Sequence, residues 1–294
     1  MRLDNIERSK NVDDRRRMSG GQKAAGGLGA IIMAVIAIFV FKKDPAQTLS
    51  ELATSNLAPA GVQSQREFTP EEEALQIHVE KVLKLTEDVW DEIYPHAAQK
   101  FTGRRSPYEK PTLVSFSGQV SSACGHASAA MGPFYCPGDK QVYIDLDFFN
   151  DLKKEFDAPG DFAQAYVVAH EVGHHVQKLL GFSDFVHKKR QTVSKEEYNR
   201  LSVKLELQAD YFAGVWANRA QKRFNILERG DLEEGLGAAG AVGDDRIQKR
   251  AQGYVVPESF THGTADQRIR WFTLGLKSGD PAAHNPFDVP YDEL

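Results

Sequence analysis

The chain has 294 residues, of which 41% are hydrophobic, 26% charged and 10% aromatic. This is an ordinary globular composition, and the length suits one sizeable catalytic domain with accessory segments. The net charge of −5 argues against a nucleic-acid partner, because nucleic-acid binding usually requires a strongly basic surface.

The N-terminal region combines a basic tail with an apolar run. Residues 1–23 hold seven Lys or Arg and four Asp or Glu, and residues 24–41 are 18 residues without a charge. Such a run is close to the minimum for a helix that crosses a bilayer. A cleaved signal peptide would need small residues after the run, which residues 40–43 lack. A buried soluble helix is the other alternative, but this run is apolar on every face and follows a polar tail. The sequence therefore predicts a retained transmembrane helix that contacts lipid over residues 24–41.

Lys and Arg counts predict the orientation of this helix. Seven basic residues precede it, whereas Lys42 and Lys43 are the basic residues in the twenty positions that follow. The positive-inside rule then places residues 1–23 in the cytoplasm. We expect a single-pass inner-membrane protein with a polar linker at 42–68 and a folded domain at 69–294 on the periplasmic side.

The folded domain is predicted to start with a helix and a small sheet. Thr69, Pro70 and Glu72 form a typical helix start, with a cap, a proline in the first turn and a capping-box glutamate. Residues 112–116 and 142–145 resemble short strands.

The two cysteines, Cys124 and Cys136, lie between these strands. In an oxidising compartment they would close a short loop, so we predict a disulfide. Two unrelated small buried residues are the alternative, and a zinc pair is disfavoured because the chain has no CxxC spacing.

Further helix starts follow along the chain. Asp161 with Gln164, Ser194 with Glu197 and Thr264 with Gln267 each have capping-box spacing, and residues 231–250 are a glycine-rich helical stretch. Helices with a small sheet predict an α+β domain.

The predicted helix that opens at Asp161 carries His170-Glu171-Val172-Gly173-His174. Residues four apart lie on one helix face, so His170 and His174 can bind one metal ion while Glu171 reaches a water molecule. This is the HExxH pattern, in which glutamate acts as a general base. Two packed histidines are the alternative, but the apolar residues 165–169 indicate a buried helix, where unpaired polar groups would be costly.

A catalytic zinc site needs a third protein ligand. The metzincin pattern would need Gly and His where Gln177 and Leu180 stand, and His175 points about 100° away from His174 on the helix. Glu206 is the better candidate, with Asp210 one turn further on to accept a hydrogen bond from a ligating imidazole. An exposed polar helix face is the alternative for both residues.

At this point the chain resembles a known family, the neutral zinc metallopeptidases of bacterial membranes. The resemblance rests on MRLDNIERSKNVDDRR, the apolar segment, ACGHASAAMGPFYCPGDKQVYIDLDFF, AHEVGHHVQ, ELQADYFAG and HGTADQRIRW. More distantly, HExxH followed by ExxxD is similar to gluzincin peptidases, which implies a zincin-like fold with Glu206 as third ligand and Asp210 beside it. Those enzymes also have a histidine near the substrate six residues before an arginine, which implies a role for His262, six residues before Arg268.

The hypothesis from sequence is therefore a membrane-anchored zinc peptidase with one Zn²⁺ per chain and a peptide or protein substrate. Glu171 would act as the base for a zinc-activated water, and His262 would stabilise the oxyanion, with Tyr143 and Tyr211 as other candidates. A plain loop histidine without a catalytic role is the alternative for His262. The strand at 142–145 could pair with an extended substrate. A catalytically silent zinc-binding scaffold and a metal-free structural protein are the alternatives, and no oligomeric state is indicated.

Overall fold

The first long helix begins as its sequence predicts. In the computed structural model, which describes residues 1–17 and 67–294, helix α1 spans Pro70–Thr102. Thr69 and Glu72 cap each other's backbone N–H groups, and Gly103 ends the helix in a left-handed conformation. One face of the helix buries Trp90 and Leu83 in the main hydrophobic core.

A small sheet packs beside this core. Strands β2 (Thr112–Phe116) and β6 (Gln141–Asp145) confirm the two predicted strands and pair in parallel. The four-stranded sheet has the order β1-β2-β6-β5, with β1 at Val12–Asp14 and β5 at Phe134–Cys136. Strand β5 is antiparallel to β6, and a separate hairpin joins β3 (Gln119–Ser122) to β4 (Gly125–Ser128). Strand β6 therefore lies inside the sheet and not at its edge.

Cys124 and Cys136 form the predicted disulfide. The bond ties the turn of the β3–β4 hairpin to the end of β5. Strand β5 is thus held at the sheet edge by a covalent link as well as by its pairing with β6.

The remaining helices supply most of the domain, as expected for the α+β class. They are α2 (Phe148–Lys154), α3 (Asp161–Leu180), α4 (Phe182–Lys189), α5 (Lys195–Phe224), α6 (Asp231–Ala241), α7 (Asp244–Gln252) and α8 (Ala265–Ser278). Thr264 and Gln267 form the predicted capping box of α8, and Ser194 caps α5 through the N–H of Glu197. The central pair is α5 and α8, and α3 packs against α5.

One predicted cap is wrong. Gly160 and not Asp161 precedes the first turn of α3, and it provides no side-chain cap. The N–H of Phe162, in the first turn of α3, instead donates to Glu234 Oε2 at 3.0 Å. A carboxylate from α6 therefore caps the start of this helix.

The N-terminal residues also differ from the prediction of a separate tail. Residues 1–16 belong to the same folded unit as residues 68–294, and strand β1 extends the sheet beyond β2. The predicted transmembrane segment at 24–41 and most of the linker at 42–68 lie outside the described residues, so they stay predictions. Across residues 1–17 and 67–294, every helix is too short or too polar to cross a membrane.

Two glycines allow α5 and α8 to approach closely. A β-carbon added at Gly275 would lie 2.0 Å from the Tyr211 carbonyl oxygen, and one at Gly214 would lie 2.1 Å from the Phe272 carbonyl oxygen. Neither backbone contact leaves room for a methyl group. This crossing sets the distance between the residues of α5 and those at the start of α8.

We expect Gly275→Ala to destabilise the domain by about 3 kcal/mol, because the added methyl group forces the two helix backbones apart. Gly237→Ala is the matched control, since the same change in α6 meets nothing within 4 Å and should be neutral or stabilising by up to about 1 kcal/mol. Urea denaturation of both purified variants measures the difference. Equal stabilities would contradict the packing described for α5 and α8.

Candidate metal site

The two histidines of the HExxH pattern converge with a glutamate from the next long helix. His170 and His174 lie one turn apart on α3, with ring centroids 4.7 Å apart and nearly perpendicular planes. Glu206 on α5 faces both rings: its Oε2 lies 3.2 Å from His170 Nε2, and its Oε1 lies 3.5 Å from His174 Nε2. The three predicted ligands are therefore brought together, with their donor atoms within 4.8 Å of one another.

The helix approach that creates this cluster depends on Gly173. A β-carbon at Gly173 would lie 3.0 Å from the Ala209 carbonyl oxygen and 3.1 Å from the Ala209 Cα. Helices α3 and α5 therefore approach backbone to backbone at the residue directly before His174. Glu206 is one turn before Ala209, which places its carboxylate beside the histidines.

The donor set fits a tetrahedral zinc ion. Two ligand atoms bonded to zinc at about 2.0–2.1 Å in tetrahedral geometry lie about 3.3 Å apart. The two nitrogen–oxygen separations here are 3.2 and 3.5 Å. Two imidazoles and one carboxylate also form a typical catalytic zinc set, which leaves one position open.

The predicted support for His170 is present and larger than expected. Asp210 Oδ1 accepts a hydrogen bond from His170 Nδ1 at 2.8 Å and from the Tyr166 hydroxyl at 2.5 Å. Arg268 donates to both carboxylate oxygens, from Nε at 2.8 Å and from Nη2 at 3.0 Å. Burial alone would raise the pKa of Asp210, but the charges of Arg268 and His170 lower it to about 2. The carboxylate therefore stays ionised and holds Nδ1–H of His170, which leaves Nε2 free for a metal.

His174 is oriented by Gln177, a residue that sequence reasoning considered only as a failed ligand position. Its Oε1 lies 2.9 Å from His174 Nδ1, and its amide nitrogen donates to the Leu205 carbonyl oxygen at 2.6 Å. Because the nitrogen must face that carbonyl, the oxygen faces His174 and accepts from Nδ1–H. The helical spacing from His174 was the signal that could have identified this role.

Glu171 is buried, with 8% of its surface exposed. Burial acts against a charge on His174, but the carboxylates of Glu206 and Glu171 raise the pKa of His174 to about 9. Glu171 is therefore close enough to the ligand cluster to act electrostatically on it. This position agrees with the general base predicted from the motif.

His175 is not a ligand, as predicted. Its Nε2–H donates to the Glu109 carbonyl oxygen at 2.6 Å, and its Nδ1 accepts from the Tyr135 hydroxyl at 3.1 Å. Burial lowers the pKa of His175 to about 4, so the ring is neutral at physiological pH. It joins α3 to the sheet edge at Tyr135.

His262 lies in the loop before α8, on the side of α5 that carries Glu206. Gly263 packs against Val203, since a β-carbon there would lie 3.1 Å from the Val203 Cγ1. Burial opposes a charge on His262, but its hydrogen bond to Asp244 and the charge of Glu206 raise its pKa. The charge of Glu206 therefore acts on His262, and 49% of the histidine side chain is exposed.

Asp244 builds the loop that carries His262. Its Oδ2 accepts the backbone N–H groups of Thr261 at 2.7 Å, His262 at 2.7 Å and Gly263 at 3.2 Å. Its Oδ1 lies 3.1 Å from His262 Nδ1. One carboxylate thus fixes both the loop backbone and the imidazole, a role with no signal in the sequence.

The hydroxyls of the two tyrosines considered as oxyanion donors have other hydrogen-bond partners. The Tyr143 hydroxyl lies 2.8 Å from both Asp139 Oδ2 and Gln141 Oε1, and the Tyr211 hydroxyl contacts Ser278 and the Asp280 carbonyl oxygen. Both side chains are buried. Neither is brought to the metal ligands, so these two candidates are wrong.

Comparisons with known proteins identify the family of this chain. The sequence matches the family described as "Putative neutral zinc metallopeptidase" over residues 1–287. The chain belongs to this family. It is 45% identical over 296 residues to "Uncharacterized protein YpfJ" of Escherichia coli K12, which covers 98% of this chain and 99% of the relative. It is also 45% identical over 192 residues to "Uncharacterized protein Rv2575" of Mycobacterium tuberculosis, or 62% of this chain and 64% of that protein. No solved structure matches the chain.

We expect Gln177→Leu to lower zinc affinity about 10–100-fold, because His174 loses the hydrogen bond that orients its ring. Gln164→Leu makes the same change on the same helix, at a partly exposed position away from the ligands, and should leave zinc affinity unchanged. Competition with a chelator measures both affinities. Equal affinities in the two variants would show that Gln177 does not support the ligand.

Proposed function

We propose that this protein is a zinc-dependent peptidase that hydrolyses peptide bonds. The observation that carries the proposal is the convergence of His170, His174 and Glu206 at zinc-ligand separations, with the buried carboxylate of Glu171 beside them. A bound Zn²⁺ would polarise a substrate carbonyl and lower the pKa of a water molecule. The family membership supports the same metal and the same class of reaction.

Residues of the protein would transfer the proton and orient the imidazoles. Glu171 takes the proton of the attacking water and returns it to the departing amine, as a general base and then a general acid. Asp210 and Gln177 hold the two imidazoles with Nε2 free. Arg268 keeps the Asp210 carboxylate charged, so that the ligand geometry is set before substrate arrives.

His262 is proposed as the donor to the developing oxyanion. The support is its exposed side chain near Glu206 and its raised pKa, which favours the protonated ring. Asp244 holds Nδ1, so the second nitrogen is left to donate. A fixed donor of this kind stabilises the charge that forms on the carbonyl oxygen.

Strand β5, and not β6, is proposed to pair with an extended peptide. Strand β6 is paired on both sides, with β2 and β5. Strand β5 is an edge strand of the sheet formed by the described residues. Helix α3 packs against β5, and the Tyr135 hydroxyl of β5 contacts His175 next to the ligand His174. A peptide added along β5 would pass beside the metal ligands, with its backbone recognised by strand pairing.

The enzyme is also proposed to work at a membrane, in an oxidising compartment. The support for membrane attachment is the run of 18 uncharged residues at 24–41. The support for the compartment is the Cys124–Cys136 disulfide, since such bonds persist outside the cytoplasm. The experiments below use the full chain because residues 1–16 are part of the folded unit.

We expect Glu171→Gln to retain one zinc per chain and to lower kcat about 10²–10⁴-fold, because the amide cannot take a proton from water. Glu206→Gln should instead lose zinc, since a neutral amide is a poor ligand for this ion. Elemental analysis and cleavage of a peptide library measure the two properties separately.

The control is Glu196→Gln, an exposed glutamate on the same helix as Glu206, which should match the parent in zinc and cleavage. Parent protein that holds zinc but cleaves no peptide would support the scaffold alternative. Parent-level cleavage by Glu171→Gln would refute the mechanism.

We expect His262→Gln to lower kcat about 10²–10³-fold, with zinc content unchanged. His187→Gln, at an exposed histidine of α4, is the control. Asp244→Asn should lower the pKa of His262, so the alkaline fall of kcat/KM should move to lower pH. If kcat/KM of both His262→Gln and Asp244→Asn depends on pH as in the parent, the loop has no catalytic role.

A further inference from the structure

The first sixteen residues make backbone contacts that are typical of an integral strand. Strand β1 pairs in parallel with β2, from Val12 opposite Leu113 to Asp14 opposite Ser115. The Leu113 N–H donates to the Asn11 carbonyl oxygen at 2.9 Å, and the Arg15 N–H donates to the Ser115 carbonyl oxygen at 2.7 Å. The N-terminal segment therefore completes the sheet of the peptidase domain.

The same segment also satisfies buried charge on α1. Glu80 and Glu87 are 6% and 3% exposed, although both are glutamates on a long helix. Glu87 Oε1 accepts from Ser9 Oγ at 2.6 Å and from Asn11 Nδ2 at 2.8 Å, and Glu80 is paired with Arg8. A buried carboxylate without such partners is costly, so α1 is built to receive the N-terminal segment.

Basic residues of the segment are also used within the folded unit. Arg2 donates to the Leu227 carbonyl oxygen at 2.7 Å, and Arg16, which is buried, pairs with Asp14 at 2.7 Å. Two of the charges that predicted a cytoplasmic tail, Arg2 and Arg16, therefore have structural partners.

Arg16 and Phe68, the residues of the folded unit that precede and follow residues 17–67, are in contact. The Arg16 guanidinium lies over the Phe68 ring, 4.0 Å from its centroid. Both residues belong to the unit formed by residues 1–16 and 68–294. The residues of the folded unit that flank residues 17–67 are therefore in contact with each other.

We propose that residues 1–16 are a fixed structural part of the peptidase domain, and that they lie with residues 68–294 on the same side of any membrane entered by residues 24–41. A single pass would put about 30 Å of hydrocarbon between β1 and β2, whereas paired strands lie about 4.8 Å apart. The observed pairing and the single-pass topology predicted from Lys and Arg counts exclude each other. This inference does not depend on peptidase activity.

Single cysteines in the full chain test the topology. Lys10→Cys places a thiol on the exposed side of the N-terminal segment, and Lys188→Cys places one on exposed α4. The two native cysteines are joined in a disulfide, so the added thiol is the reactive one. Intact cells and permeabilised cells are treated with a membrane-impermeant maleimide. We expect the two variants to be labelled under the same condition, and labelling on opposite sides would overturn the proposal.

A stability measurement tests the contact itself. Ser9→Ala with Asn11→Ala leaves the Glu87 carboxylate buried without its partners, and the melting temperature should fall by several degrees. Lys10 lies between these two residues in sequence but is exposed, so Lys10→Ala is the control. Its melting temperature should equal that of the parent. Adding Glu87→Gln to the double variant removes the buried charge and should restore part of the loss. Equal melting temperatures for all four proteins would overturn the proposal.

Discussion

The buried carboxylate of Asp210 is the contact on which the arrangement of the helical core depends. It has no exposed surface, and it joins three helices: it sits on α5, accepts from His170 on α3 and pairs with Arg268 on α8. A carboxylate at this depth would cost several kcal/mol without a charged partner. The glycine crossing of α5 and α8 brings Arg268 within reach. The ion pair that neutralises this buried carboxylate therefore also fixes His170, the first of the proposed metal ligands.

Features encoded by local spacing could be predicted from the sequence. The caps at Thr69 and Thr264 depend on residues three positions apart, and the histidines of α3 depend on residues four apart. Glu206 was predictable because a second helix had to supply the missing ligand. For the caps and the two histidines the physical cause lies within about one helical turn, which a single sequence displays directly.

Features set by distant packing could not be predicted. The start of α3 is capped by Glu234 from another helix, so the local signal at Asp161 was misleading. The position of β6 inside the sheet depends on β5, and the Tyr211 hydroxyl contacts the carbonyl oxygen of Asp280, 69 residues away. The role of Gln177 was overlooked because its position was tested only as a metal ligand.

The parallel pairing of β1 with β2 imposes an order on folding during synthesis. Residues 12–14 pair with residues 113–115, so about a hundred residues must follow β1 before its partner strand exists. Until then the N-terminal segment, whose side chains satisfy the carboxylates of α1, has no partner strand. The apolar run at 24–41 is made in that interval, before the sheet can close. Closure of the domain is thus a late, non-local event, and any step that recognises the nascent N-terminal region precedes it.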